Sequence, residues 1–324
     1  MKVLLLGATG LLGHNVLQRL TATGHQVVAV VRRRHALRIE TPHTMIVEGD
    51  ITCPQTVWDA ASGCDAIINC AGVTDMSLLR REDYEEVNVG LCHTIANVMN
   101  GLGISTLVHV STVNTIGYGT ADCPADEQAP CKPPSDKSYY ADSKRQGELV
   151  VLDVAREHPD WHVVVVNPGF MIGPMDVKPS SGRLLLAAYR KPLMFAPQGG
   201  KAFVDVRDVA AAVANALTMG RNGQRYIAVN GQGCFTISEL YKMQARVMGY
   251  CQRVVMLPNG LLNWAGRLGD LLRWMGMKTE LSSTNLRQLM VREYYDNSHV
   301  VSDLSMPETD LAQSIRDFYA WREK

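Results

Sequence analysis

The feature that most constrains the fold of this chain is a glycine triplet directly after a short apolar run. The chain opens MKVLLLGATGLLGHNV, with glycines at positions 7, 10 and 13. Where a strand passes into a helix through such glycines, the backbone can approach a ligand, and the first helical turn offers unpaired N–H groups and positive dipole charge. The stretch therefore predicts a βα unit that binds a pyrophosphate; a tight turn without a ligand is the alternative.

Short apolar runs alternate with helical patterns through the first half of the chain. The runs are KVLLL, QVVAVV, TMIVE, DAIINC, ISTLVHVS and WHVVVVN, and helical patterns lie at residues 14–23, 87–99 and 144–157. Strands that are apolar on both faces are buried between helix layers, as in parallel sheets. We predict an α/β fold, with a Rossmann-type doubly wound parallel sheet in residues 1–167. Residues 168–324 form mainly a smaller substrate lobe, with segments that return to the main sheet.

Composition argues against several classes of partner and location. Lys and Arg total 32, as do Asp and Glu, so no global field favours nucleic acid or an anionic surface. The 8 cysteines are scattered without a CxxC pair, which indicates free thiols in a reducing cytoplasm and no metal site. The opening apolar run is too short for a signal peptide, and no run reaches the roughly 20 residues that span a bilayer. We expect a cytoplasmic protein without a nucleic-acid or membrane partner.

A tyrosine and a lysine in SYYADSK indicate acid–base chemistry. Tyr140 and Lys144 are four residues apart on a predicted helix, so their side chains share one face. A tyrosine with an ordinary pKa of about 10 is a poor acid–base catalyst at neutral pH. A nearby ammonium favours the phenolate, so we expect Lys144 to lower the pKa of Tyr140.

The glycine triplet and this pair together resemble the extended short-chain dehydrogenase/reductase family, the NAD-dependent epimerases and dehydratases, over nearly the whole chain. GPMDVKPSSGRLL and the C-terminal YYDNSHVVSDLSMPETDLAQSIRDFYAWRE are similar to the dihydroflavonol-reductase-like branch, including its hopanoid-associated members. The resemblance implies an NAD(P)-binding domain, a small-molecule substrate, and a homodimer formed through the helices that carry Asn88 and Tyr140.

The resemblance also implies cofactor contacts at the carboxyl ends of the strands. Arg32, in VVRRR, would pair with the 2′-phosphate of NADP, which favours NADP over NAD; a solvated basic loop is the alternative. Asn88 would support the active site, with a capping or exposed asparagine as the alternative. The full set of implied contacts is Gly7, Thr9, Gly10, Leu11, Leu12, Gly13, Arg32, Asp50, Ile51, Cys70, Ala71, Gly72, Asn88, Tyr140, Lys144, Pro168 and Gly169.

The same resemblance implies the catalytic roles. Lys144 would bind the nicotinamide ribose and tune Tyr140. Tyr140 would exchange a proton with a substrate oxygen steadied by Thr112, or by Ser111 as the fallback, while hydride moves between the adjacent carbon and the nicotinamide. The chain departs from the commonest family pattern at two points in VSTVNTIGYG, since Thr112 replaces a serine and Ile116 replaces a tyrosine.

Three functions remain open from the sequence. An NADP-dependent oxidoreductase acting on a carbonyl or secondary alcohol is preferred. A nucleotide-sugar epimerase or dehydratase with tightly held NAD would use the same catalytic residues. A non-catalytic dinucleotide-sensing regulatory protein is the third, and the retention of Tyr140 and Lys144 argues against it.

Three further segments carry weaker predictions. Residues 117–136 form a long irregular stretch, which indicates a functional flap. Lys178 and Arg183 could meet an anionic substrate group, although solvated loop charges are the preferred interpretation. In residues 260–278, Leu, Trp and Arg recur at helical spacing, which is typical either of a membrane-surface helix or of a lobe helix packed on the core. We prefer the packed helix.

Overall fold

The computed structural model of the protein describes residues 1–39, 41–132, 138–177, 179–279 and 281–323. Within these ranges, seven strands form one parallel sheet: β1 (Lys2–Leu6), β2 (Gln26–Val31), β3 (Thr44–Glu48), β4 (Ala66–Asn69), β5 (Thr106–Val110), β6 (His162–Pro168) and β10 (Arg225–Ala228). Their order across the sheet is β10-β6-β5-β4-β1-β2-β3. All six predicted strands are present, with bounds shifted by at most two residues, so the predicted fold class is confirmed.

The remaining described strands lie outside the main sheet. Three of them, β7 (Phe170–Ile172), β9 (Gly200–Asp205) and β11 (Cys234–Thr236), form one small sheet, and β8 (Leu193–Ala196) pairs with β12 (Arg253–Met256). The returning strand β10 pairs in parallel with β6, in the register Tyr226↔Val166. The second half of the chain therefore contributes an edge strand to the sheet that the first half builds.

Helices cover both faces of the sheet. The helices of the described chain are α1 (Leu11–Ala22), α2 (Pro54–Ala61), α3 (Glu82–Glu85), α4 (Leu91–Leu102), α5 (Tyr139–Glu157), α6 (Gly182–Ala188), α7 (Val206–Asn215), α8 (Ile237–Val247), α9 (Asn259–Trp274), α10 (Ser283–Gln288), α11 (Ser298–Leu304) and α12 (Leu311–Arg322), of which α6, α8 and α12 pack in a separate core with the small sheets. Buried residues of α1, α7 and α11 form a core on one face, and those of α2, α4 and α5 form a core on the other. A wide π-helical turn, Glu86–Gly90, joins α3 to α4.

The order of the strands reverses beside β1, and this position fixes where a ligand can bind. The chain runs from β1 to β2 and β3 on one side, then crosses to β4, β5 and β6 on the other. Ligands of open α/β sheets bind at such a switch point, outside the carboxyl ends of the strands. The same edge carries the glycine loop after β1 and the segments after β4 and β5.

The helix predicted near residues 260–278 forms as α9, but the preferred interpretation of its packing is wrong. Its buried residues are Leu262, Gly266 and Gly269, whereas Trp264 and Trp274 are exposed. The helix contacts α10 and the residue Leu281 before it through its glycines, with Leu262 buried on the same side, and most of its other large apolar side chains are exposed. In the described part of the chain, no helix combines the length and apolar character that crossing a bilayer requires.

Candidate active site

The glycine loop after β1 lies against the segment that follows β4. Gly7 has a φ of +82°, and a Cβ added to it would lie 2.6 Å from the backbone N of Ala71. A Cβ on Gly13 would lie 2.0 Å from the carbonyl oxygen of Gly7. Glycine is therefore required at both positions, because any side chain would collide with backbone that has little room to move.

Gly10 differs from its two neighbours because it is exposed, and a Cβ added there would touch only the Gly7 carbonyl oxygen, at 3.4 Å. Gly10 is also the N-cap of α1, and no side chain caps that helix. The first-turn N–H groups thus lie at the carboxyl edge of the sheet without a side-chain acceptor. This arrangement fits the pyrophosphate of a dinucleotide, which needs close backbone approach and N–H donors.

Arg32 and Asp50 lie at the far end of this edge. They follow β2 and β3, and the two strand ends are joined by a hydrogen bond from the N–H of Gly49 to the carbonyl of Val31 (3.0 Å). The backbone N–H and the hydroxyl of Thr52 both donate to Asp50 Oδ1, and with the charge of Arg32 they lower the pKa of Asp50. An exposed guanidinium and a carboxylate therefore lie at the adenosine end of the predicted cofactor site.

The predicted catalytic hydroxyl and tyrosine are brought together. Thr112 lies just past β5, as the N-cap of a 3₁₀ turn, Val113–Thr115. Tyr140 is in the first turn of α5, and its phenol lies beside the Thr112 side chain, whose hydroxyl acts to lower the phenol's pKa. Ser111 is the predicted fallback, but its hydroxyl is buried without a hydrogen-bond partner among the described residues. The geometry thus places Thr112, rather than Ser111, against the tyrosine.

Lys144 is buried one turn further along α5. Its Nζ donates to the carbonyl of Val110 at 2.7 Å and lies 3.6 Å from where a Cβ on Gly72 would be. Burial lowers the pKa of Lys144; the thiols of Cys92 and Cys70, once ionised, and the Glu148 carboxylate act in the opposite direction. Burial raises the thiol pKa values to about 11 at Cys92 and about 12 at Cys70, so both thiols are neutral at neutral pH.

The pKa of Tyr140 is not lowered by Lys144 in the structure, contrary to the prediction. The pKa of Tyr140 is raised by burial, and the hydrogen bond with Thr112 opposes this effect only in part. The prediction that Lys144 lowers the Tyr140 pKa is therefore wrong for this structure. The physical reason is that the desolvated Lys144 ammonium is directed to the Val110 carbonyl, while the phenol loses hydration.

Asn88 braces the site from the π-helical turn. Its Oδ1 accepts from the N–H of Val73 (2.8 Å), and its Nδ2 donates to the carbonyl of Val73 (3.2 Å) and to Ser143 Oγ (2.9 Å). The Ser143 hydroxyl in turn donates to the carbonyl of Tyr140 (2.9 Å). Asn88 is buried, so the alternative of an exposed asparagine is wrong. It joins the segment after β4 to the helix that carries Tyr140 and Lys144.

A buried polar network beneath Thr112 was missed from the sequence. Glu148 Oε2 accepts from Thr115 Oγ1 (2.9 Å) and Asn167 Nδ2 (2.8 Å), and Oε1 accepts from Arg225 (3.2 Å). Thr115 and Asn167 also donate to the carbonyl of Thr112. One signal was available, since Glu148 lies four residues after Lys144 and so shares its helix face. Arg225 gives no local signal, because it lies 77 residues further along the chain.

The remaining predicted positions lie outside the contacts described above. Pro168 ends β6, and a Cβ on Gly169 would lie 2.4 Å from the carbonyl of Ala202. Ile116 is buried in a small apolar cluster beside β10. Arg183 is exposed at the start of α6, and Lys178 lies outside the described residues.

The described part of the predicted flap, residues 117–132, is bound to the C-terminal segment. The N–H groups of Gly119 and Ala125 both donate to the carbonyl of Tyr294 (2.9 and 3.1 Å). The buried Glu127 carboxylate accepts from the N–H of Ile227 (3.1 Å) and contacts His299 Nδ1 (2.9 Å). Across the described chain, no group of three His, Cys, Asp or Glu residues could hold a metal ion.

Comparison with known proteins gives one family and several relatives. The model of the NAD dependent epimerase/dehydratase family matches residues 3–230. Sterol demethylase protein B of Methylococcus capsulatus is 27% identical over 333 residues, covering 99% of this chain and 98% of that protein. A Synechocystis sp. protein named "Putative dihydroflavonol 4-reductase" is 27% identical over 326 residues, covering 97% of this chain and 92% of its own. The predicted resemblance to this family and branch is thus confirmed.

Solved structures show the same fold. The UDP-glucose 4-epimerase of Thermotoga maritima, solved with UDP-glucose, superposes with a TM-score of 0.78 at 18% identity. The match covers 100% of this chain and 99% of that structure. At this identity the likeness establishes the architecture of the chain and not its substrate.

Proposed function

This chain belongs to the NAD dependent epimerase/dehydratase family, and on that premise we propose that it is an NADP-dependent oxidoreductase acting on a carbonyl or secondary alcohol, with Tyr140 as general acid/base. Membership makes it an NAD(P)-dependent oxidoreductase or epimerase of the extended short-chain dehydrogenase/reductase type. The preference for NADP, the role of each residue and the substrate class belong to the proposal.

The main support for this proposed function is a continuous path of contacts from the glycine loop to the predicted catalytic residues. Gly7 packs against the backbone of Cys70 and Ala71, and the next residue, Gly72, faces the Lys144 ammonium and the Asn88 side chain. A dinucleotide bound at Gly10 and running along this edge would therefore bring its reactive end toward Lys144 and Tyr140. A structural turn alone would not require this alignment.

The chain's own residues supply the proton chemistry, and a bound nicotinamide cofactor supplies or accepts the hydride. Tyr140 carries its proton at neutral pH and can donate it to a substrate oxygen on which negative charge develops; burial raises its pKa, so it holds that proton more tightly than an exposed tyrosine would. Thr112, whose side chain lies beside the same phenol, would also donate to that oxygen. The Lys144 ammonium, which donates to the Val110 carbonyl and faces Gly72, would bind the nicotinamide ribose.

Arg32 supports NADP as the preferred cofactor. It is exposed at the end of β2, where dinucleotide folds bind the adenosine ribose. A charge-assisted hydrogen bond to the 2′-phosphate is worth roughly 1.5–3 kcal/mol, equivalent to about a tenfold to hundredfold preference for NADPH over NADH. Asp50 would share this edge and reduce the preference if Arg32 paired with its carboxylate instead.

The names of two relatives favour a reductase acting on an apolar substrate over a nucleotide-sugar enzyme. Sterol demethylase protein B and the Synechocystis reductase each align over nearly the whole chain at 27% identity. The epimerase solved with UDP-glucose shares only 18% identity, which supports the fold alone. A nucleotide-sugar epimerase or dehydratase remains the second candidate because its catalytic residues would be the same.

A paired titration tests the cofactor. Purified protein, after analysis of any dinucleotide that co-purifies, is titrated with NADPH and NADH by nicotinamide fluorescence. We expect NADPH to bind about tenfold to hundredfold more tightly, and Arg32→Gln to abolish the difference. Arg33→Gln, one residue away and also exposed, should keep it. Equal affinities in the wild type, or a retained NAD that resists exchange, would favour the epimerase.

Substitution of the tyrosine tests the chemistry. Tyr140→Phe removes the proton donor and keeps the ring, so we expect turnover on a panel of carbonyl substrates to fall about 10²- to 10⁴-fold with cofactor affinity unchanged. Tyr139→Phe is the matched control, because Tyr139 precedes it on the same helix and is 48% exposed. Equal turnover in the two variants would refute the role of Tyr140.

A further inference from the structure

Helix α9 exposes most of its large apolar side chains, which an ordinary surface helix would bury. The face that contacts its neighbours carries two glycines, and a Cβ on Gly269 would lie 2.1 Å from the carbonyl oxygen of Leu281. A Cβ on Gly266 would lie 2.9 Å from the Cα of Ser283. A surface helix normally buries its large apolar residues and exposes its small and polar ones. Here the close contact at the glycines leaves most of the large apolar residues exposed, and only Leu262 is buried.

The outer side of α9 is a continuous apolar stripe. The exposed fractions are 65% for Trp264 and 83% for Trp274, and lie between 43% and 55% for the other members. The α9 stripe consists of Leu261, Trp264, Leu268, Leu271, Trp274 and Met275. At about 100° per residue, these positions lie on the side opposite Gly266 and Gly269. Exposed apolar surface of this extent on one face marks an interaction site.

The charges around the α9 stripe select the kind of partner. Arg267 is exposed on the same side of the helix, and Lys278 is exposed just beyond its end. The acidic residue of α9, Asp270, accepts a hydrogen bond from the N–H of Ser283. In a layer of lipid headgroups, tryptophan rings lie at the boundary and cationic side chains extend to phosphates. We propose that the α9 stripe docks on the surface of an anionic lipid bilayer.

A second copy of the chain fits this face less well. Two stripes packed against each other would bring Arg267 of each copy into an apolar interface. Asp270 lies toward α10, where its Oδ1 accepts from the N–H of Ser283, and it forms no ion pair with Arg267 in the described structure. A buried cation without a counter-charge is strongly unfavourable, whereas a phosphate layer provides one.

Docking through α9 would hold the candidate active site near the bilayer. The guanidinium of Arg273, on the inner side of α9, donates to the carbonyls of Met76 (3.2 Å) and Leu78 (2.7 Å). Asn285 Nδ2 donates to the same Met76 carbonyl (3.3 Å). The segment that they bind begins at Gly72, beside Lys144. A carbonyl or alcohol substrate dissolved in the bilayer would thus be held near Tyr140. This delivery of substrate rests on the proposed function, whereas the docking of α9 on the bilayer does not.

Vesicle flotation of the full-length protein tests the proposal. Phosphatidylcholine vesicles with and without phosphatidylglycerol are compared at low and high salt. We expect binding to the anionic vesicles, a blue shift of tryptophan fluorescence, and weaker binding in high salt. The double variant Trp264→Ser/Trp274→Ser should weaken partition at least about tenfold, since the rings supply most of the inserted area. Both side chains are largely exposed, so the variant should fold.

Two matched variants serve as controls. Trp58→Ser, on α2 and 37% exposed, should bind vesicles as the wild type does. Arg267→Gln should reduce binding to the anionic vesicles only, whereas Arg19→Gln, on α1 and exposed, should not. Absence of vesicle binding, or equal loss in the Trp58 variant and the double variant, would overturn the proposal. So would a dimer that the double variant dissociates in the absence of lipid. Binding requires no turnover, so this result and the test of Tyr140 are independent.

Discussion

Glycines in helices α1 and α9 both allow close packing, but they expose different kinds of groups to solvent. At the start of α1, Gly7 and Gly13 let backbone segments meet, which leaves Gly10 and the first-turn N–H groups open to a ligand. In α9, Gly266 and Gly269 let the helix approach the chain at Leu281 and Ser283, which turns its large side chains outward. The first arrangement exposes polar backbone and the second exposes apolar side chains.

The comparison shows that the same kind of close backbone contact can have different consequences, which depend on the groups that surround the glycine. In both places an added Cβ would lie about as close to a carbonyl oxygen, 2.0 Å at Gly13 and 2.1 Å at Gly269. The surroundings differ, however. The carboxyl edge of the sheet is supported from below by the Glu148 network, whereas the outer side of α9 is covered by nothing among the described residues.

Removing the support beneath the sheet edge should have the largest effect. In Glu148→Ala, Arg225 loses its buried partner, and we expect the free energy of unfolding to fall by about 3–5 kcal/mol. Urea unfolding measures it, with Glu157→Ala as the matched control because Glu157 is exposed on the same helix. The double variant Glu148→Ala/Arg225→Met should be more stable than the sum of the single changes predicts. An additive result, or equal stability of the two single Glu variants, would contradict the network.

Adding one methyl group at each glycine compares the two regions directly. Gly13→Ala should cost roughly 3 kcal/mol and weaken dinucleotide binding, because the Gly7 carbonyl is confined between α1 and the segment after β4. Gly269→Ala should cost only about 1 kcal/mol, since α9 can move away from α10 into solvent. Unfolding and cofactor titration are measured on both, with Gly260→Ala as the control that has open space around it. Weakened cofactor binding in Gly269→Ala would show that the two regions are coupled.

The smallest effect is expected where His299 meets Glu127, between α11 and the described part of the predicted flap. The hydrogen bond and charge of Glu127 raise the pKa of His299, so protonated His299 stabilises the fold. This stabilisation is complete below the unfolded pKa of about 6.5 and is lost as pH rises through the higher folded pKa. Because the imidazole is more than half exposed, the contribution should stay below about 1 kcal/mol.

The contact between His299 and Glu127 is tested by the difference in unfolding free energy between pH 6 and pH 8. We expect His299→Gln to reduce the loss of stability that the wild type shows across this range, because it removes the titrating group. His43→Gln, an exposed histidine near β3, serves as the control. The same pH dependence in the wild type and both variants would show that the contact contributes nothing.

Much of the architecture followed from the amino-acid sequence alone. The runs KVLLL and QVVAVV coincide with β1 and β2, because strands buried on both faces must be almost wholly apolar. TMIVE coincides with β3, which lies at the edge of the sheet and is only partly buried. The glycine triplet and the Tyr140–Lys144 spacing were readable for the same reason, since each lies within one turn or one helix. Local geometry decides such features, and local sequence therefore encodes them.

Tertiary structure decided the features that depend on which surfaces meet. Helical periodicity shows that α9 has an apolar side, but only packing shows that its glycines face inward and Trp274 outward. The pairing of Thr112 rather than Ser111 with Tyr140, and the pKa of that tyrosine, depend on burial by distant segments. Glu148 meets Arg225 across 77 residues, through strand order that periodicity does not specify. The sequence pattern of a helix or strand encodes which side chains it presents on each face, and long-range packing determines which other segments those side chains contact.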